Sequence, residues 1–202
     1  MKLTCNGHSC FTIEAGGYSI VTDPYEDGCV PGLPELRLTA DAVIMSHDHY
    51  DHNFKGAVTL TGRECPFKLT TIPTFHDDTE GSQRGNNIIH IIEYDGVRIA
   101  HLGDLGHRLS KEQIEKLRGL DAILIPVGGF YTIDAKTASE IADEIGAPVV
   151  IPMHYRNGER GFKEIGELQD FLKLRDDVVM AGKSIEIVPG MKKQTAVVDF
   201  AG

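Results

Sequence analysis

Residues 46–52 read Ser46-His47-Asp48-His49-Tyr50-Asp51-His52 and follow directly on the apolar run Ala42–Met45. That junction constrains the chain more than any other stretch. A short continuous apolar run suits a buried strand rather than an amphipathic helix. The six residues His47–His52, three of them histidine and two aspartate, therefore begin where a strand stops. Residues two apart share a face, so His47 and His49 aim the same way, and two imidazoles from one hinge make half of a tetrahedral metal site. Asp51 and His52 fall one step further on, where the chain is expected to turn into a short helix, and are placed to serve a second ion beside the first. Neutral imidazole and carboxylate are the donors a borderline-soft ion such as Zn²⁺ takes. The competing reading is a solvated, histidine-rich loop, which the density of the cluster after a buried strand argues against.

A metal site needs further donors, and they should fall at other strand ends. Three do. His76 follows Leu69–Phe75, Asp104 follows His101-Leu102-Gly103, and His154 follows Ile151-Pro152-Met153. Alone, each reads as a structural residue; together they complete the set that the first motif leaves open. Donors converging from several strand ends are how a rigid scaffold builds a site.

The rest of the chain agrees with a layered α/β fold. Lys2–Cys5, Cys10–Glu14 and Tyr18–Thr22 read as strands, with Ala15-Gly16-Gly17 joining the last two as a hairpin. A loop follows over Glu26–Pro34. Val58–Leu60, Leu69–Ile72, Ile88–Tyr94 and Val97–Leu102 are further strands, and Asp95-Gly96 is a hairpin signal. After Asp104 strands and helices alternate. Ser110 caps a helix over Lys111–Arg118, Asp134 caps another over Ala135–Ile145, and Lys163–Leu174 reads as a third. Ala122–Val127, Val149–Met153, Ser184–Val188 and Thr195–Phe200 are the remaining strands. With no linker in between, residues 1–202 are expected to form one domain of two similar halves dividing near residue 105.

Composition narrows the function. The net charge of −10 and the lack of a Lys/Arg block argue against nucleic-acid binding. No apolar run approaches the ~20 residues that cross a bilayer, and the N-terminus lacks a signal-peptide core, so the chain is expected in the cytoplasm with a small-molecule substrate and no membrane partner. The four cysteines form no C-x-x-C pair; Cys5 and Cys10 read as buried small hydrophobes.

The pattern His47-x-His49-x-Asp51-His52, then His76, Asp104 and His154, resembles the metallo-β-lactamase superfamily over nearly the whole chain. Gly7-His8-Ser9, Thr22-Asp23-Pro24, Phe75-His76-Asp77, Arg84-Gly85-Asn86 and Pro126-Val127-Gly128-Gly129 resemble the branch with ascorbate-6-phosphate lactonase-like and phospholipase-D-like members. The resemblance implies a four-layer αβ/βα sandwich with the metals at one edge of the sheets. It also implies the division of donors: His47, His49 and His76 on one ion, Asp51, His52 and His154 on the other, and Asp104 bridging.

The expected activity is that of a binuclear metal-dependent hydrolase with two divalent ions, Zn²⁺ by preference and Mn²⁺ or Fe as alternatives. Two ions about 3.5–4 Å apart share a hydroxide that attacks a small ester, lactone or phosphodiester, with Asp51 as the catalytic residue that orients it. A nuclease and a non-catalytic metal-binding protein of the same fold remain as alternatives. Asp23 reads equally as a carboxylate that positions a metal-binding histidine or as a strand-ending turn. His8 reads equally as a site residue or a turn residue. Arg84 reads as a clamp for an anionic group or as a structural ion pair. Tyr131 and Tyr155 are candidates for substrate contact, and His90, His101 and His107 read as structural.

Overall fold

The computed structural model describes residues 1–200. Two main sheets form a sandwich, and sequence dictates which face of each is dry. In the five-stranded sheet, β1 (Lys2–Gly7), β2 (Cys10–Ala15), β3 (Tyr18–Thr22) and β5 (Ala42–Ile44) lie in the order β13-β1-β2-β3-β5, with β13 (Ser184–Glu186) returning from the far end of the chain. The seven-stranded sheet takes β7 (Lys68–Phe75), β8 (Asn86–Tyr94), β9 (Val97–His101), β10 (Ala122–Pro126), β11 (Val149–Met153), β12 (Val178–Gly182) and β14 (Gln194–Val198), in the order β12-β14-β11-β10-β9-β8-β7. The division between sheets thus falls between Leu60 and Lys68, with β13 crossing back.

Alternate residues of each strand face opposite ways, and the apolar ones sort accordingly. Leu3, Phe11, Ile13 and Ile20 meet Ile99, Leu124, Val149 and Ile151 between the sheets. On the outer face of the large sheet, Ile89, Ile123 and Ile125 pack beneath the helices α1 (Lys111–Lys116), α2 (Ala135–Ile145) and α3 (Leu168–Leu172). α2 buries Ala138, Ile141, Ala142 and Ile145, the i, i+3, i+4, i+7 stripe of an amphipathic helix. Asp134 caps its start by accepting from the Thr137 N–H, and Gly146 ends it in the left-handed region at φ +74°. Ser110 and Gln113 form a reciprocal capping box on α1.

The expected layered sandwich is present, with one local substitution. Among the described residues, no α-helix covers the outer face of the small sheet; Val21 and Cys10 are covered by Tyr25, Val30 and Leu36 of the loop after β3 and by Ala40, Ala57 and Val58 around a small sheet of β4 (Leu38–Ala40) and β6 (Val58–Leu60).

The third expected helix is much shorter than Lys163–Leu174. The Gly166 N–H donates to the Gly128 carbonyl at 2.6 Å and its carbonyl accepts from Arg156, so residues up to Glu167 are bound to neighbouring loops and cannot close helical turns.

Topology brings the chemistry-bearing strand ends to one place. β7 and β9 both run antiparallel to β8, and β9, β10 and β11 run parallel. The ends of β7, β9 and β11, and with them His76, Asp104 and His154, therefore share one edge of the large sheet. In the small sheet β1 and β3 both run antiparallel to β2 and β3 runs parallel to β5, so His8, Asp23 and His47 share the facing edge. Backbone bonds stitch the two edges, from Ile88 N–H to Ser46 O at 2.9 Å and from His154 N–H to His8 O at 3.4 Å. No helix among the described residues is long and apolar enough to cross a membrane.

Candidate metal centre

His47 through His52 leave β5 on a single hydrogen-bonded turn, the N–H groups of His52 and Asn53 both donating to His49 O at 2.8 and 3.0 Å, and the short helix expected at Asp51 and His52 comes only at Lys55–Ala57, as one 3₁₀ turn. His47, His49 and His76 form one group whose ring nitrogens lie within 4.8 Å of one another. A second such group contains Asp51, His52 and His154, and adds His8. Asp104 lies between the two, with Oδ2 3.3 Å from His76 Nε2, 3.3 Å from His52 Nε2 and 3.1 Å from His154 Nε2. All seven residues singled out by sequence are brought together.

The supporting contacts explain how rings and carboxylates are held. Asp23, itself in the left-handed region at φ +40°, accepts from Ser46 N–H at 2.7 Å and Ser46 Oγ at 2.6 Å, and sits 2.9 Å from His52 Nδ1. A carboxylate there keeps a proton on His52 Nδ1, so that Nε2, facing Asp51 and Asp104, is the nitrogen that would take an ion. Burial alone would raise the Asp23 carboxyl, but His101, His52 and Ser46 bring it down to about 2, so it stays an anion. Of the two roles open for Asp23, the positioning one has the contacts.

Asp104 depends on the residue before it. Gly103 adopts φ +58°, and a Cβ there would stand 2.3 Å from Asn87 Oδ1 and 2.4 Å from Ser46 Cβ. That bare backbone lets Asp104 N–H reach Asn87 Oδ1 at 2.9 Å, while Asn87 Nδ2 donates to Thr74 Oγ1 and Leu102 O.

His8 occupies the two-residue turn between β1 and β2 at φ +55°. Its side chain is fully buried, its Nε2 is 3.4 Å from Asp51 Oδ2, and neither ring nitrogen has a hydrogen-bond partner. Sequence left it undecided: a lone histidine on a turn carries no periodic signal, and its one pointer was the Gly7-His8-Ser9 stretch of the family resemblance.

The donor set fits cations. His47 Nε2, His52 Nε2 and Asp104 Oδ1 are buried without partners, although buried polar atoms are nearly always bonded. Donors about 2.0–2.2 Å from a shared tetrahedral ion stand about 3.3–3.6 Å apart; the spacings around Asp51 and Asp104 run from 3.1 to 3.5 Å. Burial would raise the Asp104 carboxyl, yet His154 and His52 hold it well below the usual carboxylate range. Two buried carboxylates ringed by imidazoles call for positive charge at their centre.

The remaining histidines hold backbone. His90 Nε2 lies 2.9 Å from Met45 O, His101 Nε2 lies 2.9 Å from Ser9 O, and His107 Nε2 accepts from Phe75 N–H at 3.1 Å. The centre opens into a cleft of about 230 Å³ walled by Tyr50, Arg84, Tyr131 and Phe162. Tyr155 is not among them; it lies in a separate cavity with Cys5 and Pro152.

A family model described as a beta-lactamase superfamily domain matches residues 2–154. The chain belongs to that superfamily. Within it, the sequence is 29% identical to a UPF0173 metal-dependent hydrolase of Methanoculleus marisnigri over 94% of this chain and 98% of the relative. It is 30% identical to a UPF0173 protein of Pyrococcus abyssi over 77% of this chain and 83% of that one. The crystal structure of a Thermotoga maritima protein, described as a Zn-dependent hydrolase of the metallo-β-lactamase superfamily, shares 35% identity, covers 97% of both chains and gives a TM-score of 0.76. The superfamily member described here thus sits among UPF0173 metal-dependent hydrolases.

Proposed function

We propose that the chain is a binuclear metal-dependent hydrolase of a small ester, lactone or phosphodiester. The observation that carries this reading is the sorting of the imidazole and carboxylate donors, several of them buried without partners, into two groups with Asp104 between them. His47, His49 and His76 would hold one ion, Asp51, His52 and His154 the other with His8 beside them, and Asp104 both. Zn²⁺ suits imidazole and carboxylate, and Mn²⁺ or Fe accept the same donors; the name of the Thermotoga maritima relative supports zinc. Bound divalent ions supply a Lewis acid for the oxygen under attack and water activated at neutral pH.

The chain's own residues do the rest. Asp51 is the more open of the two central carboxylates, its side chain 12% exposed against 2% for Asp104. It faces the cleft and orients the attacking water by accepting its hydrogen bond. Asp23 keeps the proton of His52 on Nδ1. The rings of Tyr131 and Phe162 wall the cleft and keep bulk water from the reacting bond. The resemblance to lactonase-like and phospholipase-D-like members supports an ester-type bond, and the net charge of −10 supports a small substrate over nucleic acid.

Metal analysis of the saturated protein, together with turnover of 4-nitrophenyl acetate, a simple lactone and bis(4-nitrophenyl) phosphate, tests the reading. Two ions per chain and hydrolysis of one class are expected. One ion or none would overturn the binuclear scheme, and full loading without turnover of any class would overturn the hydrolase.

A further inference from the structure

Of nine arginines, seven have carboxylate partners: Arg37, Arg63, Arg98, Arg108, Arg118, Arg156 and Arg175. Arg160 donates to Phe200 O at 3.2 Å. Among the described residues, only the Arg84 guanidinium has neither a carboxylate nor a carbonyl to donate to. It lies over the Tyr131 ring, 5.8 Å from the centroid, on the wall of the cleft that leads to the metal centre. In a chain with 30 acidic residues, such isolation needs a structural cause.

Asp77, the residue after His76, supplies it. One of its oxygens accepts from Thr79 N–H at 2.9 Å, Thr79 Oγ1 at 2.8 Å and Gly81 N–H at 2.8 Å; the other accepts from Gln83 N–H at 3.0 Å and Arg84 N–H at 2.7 Å. Five donors on one carboxylate wrap the loop around it. The loop is closed further by Gly85 N–H on Gly81 O at 2.9 Å and His76 N–H on Gly85 O at 3.0 Å. The backbone of Arg84 is therefore fixed against the strand end that carries His76. The aromatic face of Tyr131 supports the guanidinium without using its donors, and five N–H groups in a rigid fork remain for a planar or tetrahedral oxyanion.

We propose that Arg84 and Tyr131 form an oxyanion-binding subsite, so that the substrate carries a carboxylate or phosphate group apart from the bond that is cleaved. The inference rests on the reading of this cleft as the substrate site of a hydrolase. It names the substrate class within that reading: anionic esters or lactones over neutral ones.

The test uses the metal-loaded protein and three matched esters: 4-acetoxybenzoate, (4-acetoxyphenyl)phosphonate and methyl 4-acetoxybenzoate. The wild type should favour one or both anions over the methyl ester in kcat/KM, and which anion wins separates carboxylate from phosphate recognition. In Arg84→Gln that preference should fall by at least about tenfold, through KM, as expected for losing a charge-assisted pair. Arg118→Gln, an exposed arginine paired with Glu115, should keep the preference. If the wild type cleaves none of the three, simple esters are not its substrates, and binding decides the subsite. Calorimetric titration with 4-hydroxybenzoate and with (4-hydroxyphenyl)phosphonate should then show at least one binding at least about tenfold more weakly to Arg84→Gln. Equal preference in wild type and Arg84→Gln, or equal binding including none by either, overturns the inference.

Discussion

Asp23→Asn isolates the role of a residue that touches no substrate. Asparagine tolerates the left-handed backbone that Asp23 adopts at φ +40°, so the fold should accept it. The side-chain atoms then have little choice. The one facing Ser46 N–H at 2.7 Å must remain an oxygen, so the new NH₂ takes the position 2.6 Å from Ser46 Oγ and 2.9 Å from His52 Nδ1. The serine hydroxyl can turn and accept. His52 Nδ1 can accept only if its proton moves to Nε2, the nitrogen that faces Asp51 and Asp104. A protonated Nε2 cannot ligate, and loss of such an outer partner lowers metal affinity about 10–100-fold, or about 1.4–2.7 kcal/mol. Chelator competition should show the larger loss for one ion, since none of His47, His49 and His76 hydrogen-bonds Asp23 directly and only Ser46 Oγ, 2.9 Å from His47 Nδ1, links the two. Long-range ¹H–¹⁵N spectra of the histidine rings should show the His52 proton on Nε2 in the metal-free variant. Two ions held as tightly as in wild type, with the proton still on Nδ1, would refute the reasoning.

Asp51→Asn keeps shape but removes charge; circular dichroism should be native, metal content should fall to one tightly held ion, and turnover should drop about 10²–10⁴-fold, whereas two tight ions with normal turnover would make Asp51 a bystander. Gly103→Ala should destabilise by about 2–4 kcal/mol, because alanine resists φ +58° and meets Asn87 Oδ1 and Ser46 Cβ at 2.3 and 2.4 Å; an unchanged thermal midpoint would contradict this. Burial alone would lower the His52 pKa, but Asp104, Asp23 and Asp51 raise it well above the usual value, so a proton competes with the ion on His52 already at neutral pH. Affinity for that ion should therefore fall on acidification, by about tenfold per pH unit for one displaced proton; a flat response from pH 7 to about 5, below the free histidine pKa of ~6.5, would contradict it.

The centre was legible in sequence where its residues cluster or end strands. His47, His49, Asp51 and His52 announce themselves because a packed run of donors after an apolar strand has few structural uses. His76, Asp104 and His154 became readable only as complements to that run. His8 did not, since its proximity to Asp51 comes from β1 and β5 sharing a direction across the sheet, which no local pattern encodes. Asp77 was equally silent: an aspartate after histidine gives no sign that five donors will converge on it. In the fold, capped helices such as Ala135–Ile145 were readable from their ends. The stretch Lys163–Leu174 carried a helical pattern, but tertiary bonds at Gly166 overrode it. β12 was unreadable because Val178, Val179 and Met180 lie exposed at a sheet edge, without the polar–apolar alternation of a half-buried strand.

Each proposed ion draws donors from both sheets, with His47, His49, Asp51 and His52 from one edge and His76, Asp104 and His154 from the other. An ion leaving for the cleft must break from donors on both edges, and the bonds from Ile88 to Ser46 and from His154 to His8 hold those edges in register. Metal exchange should then be gated by breathing of the seam. An excess of chelator would strip the protein at a rate that does not rise with chelator concentration, because the slow event is the parting of two sheets and not capture of the freed ion. The same seam orders biosynthesis: the histidine-rich turn leaves the ribosome long before His154 does, and the growing chain cannot close the second site until β11 has docked.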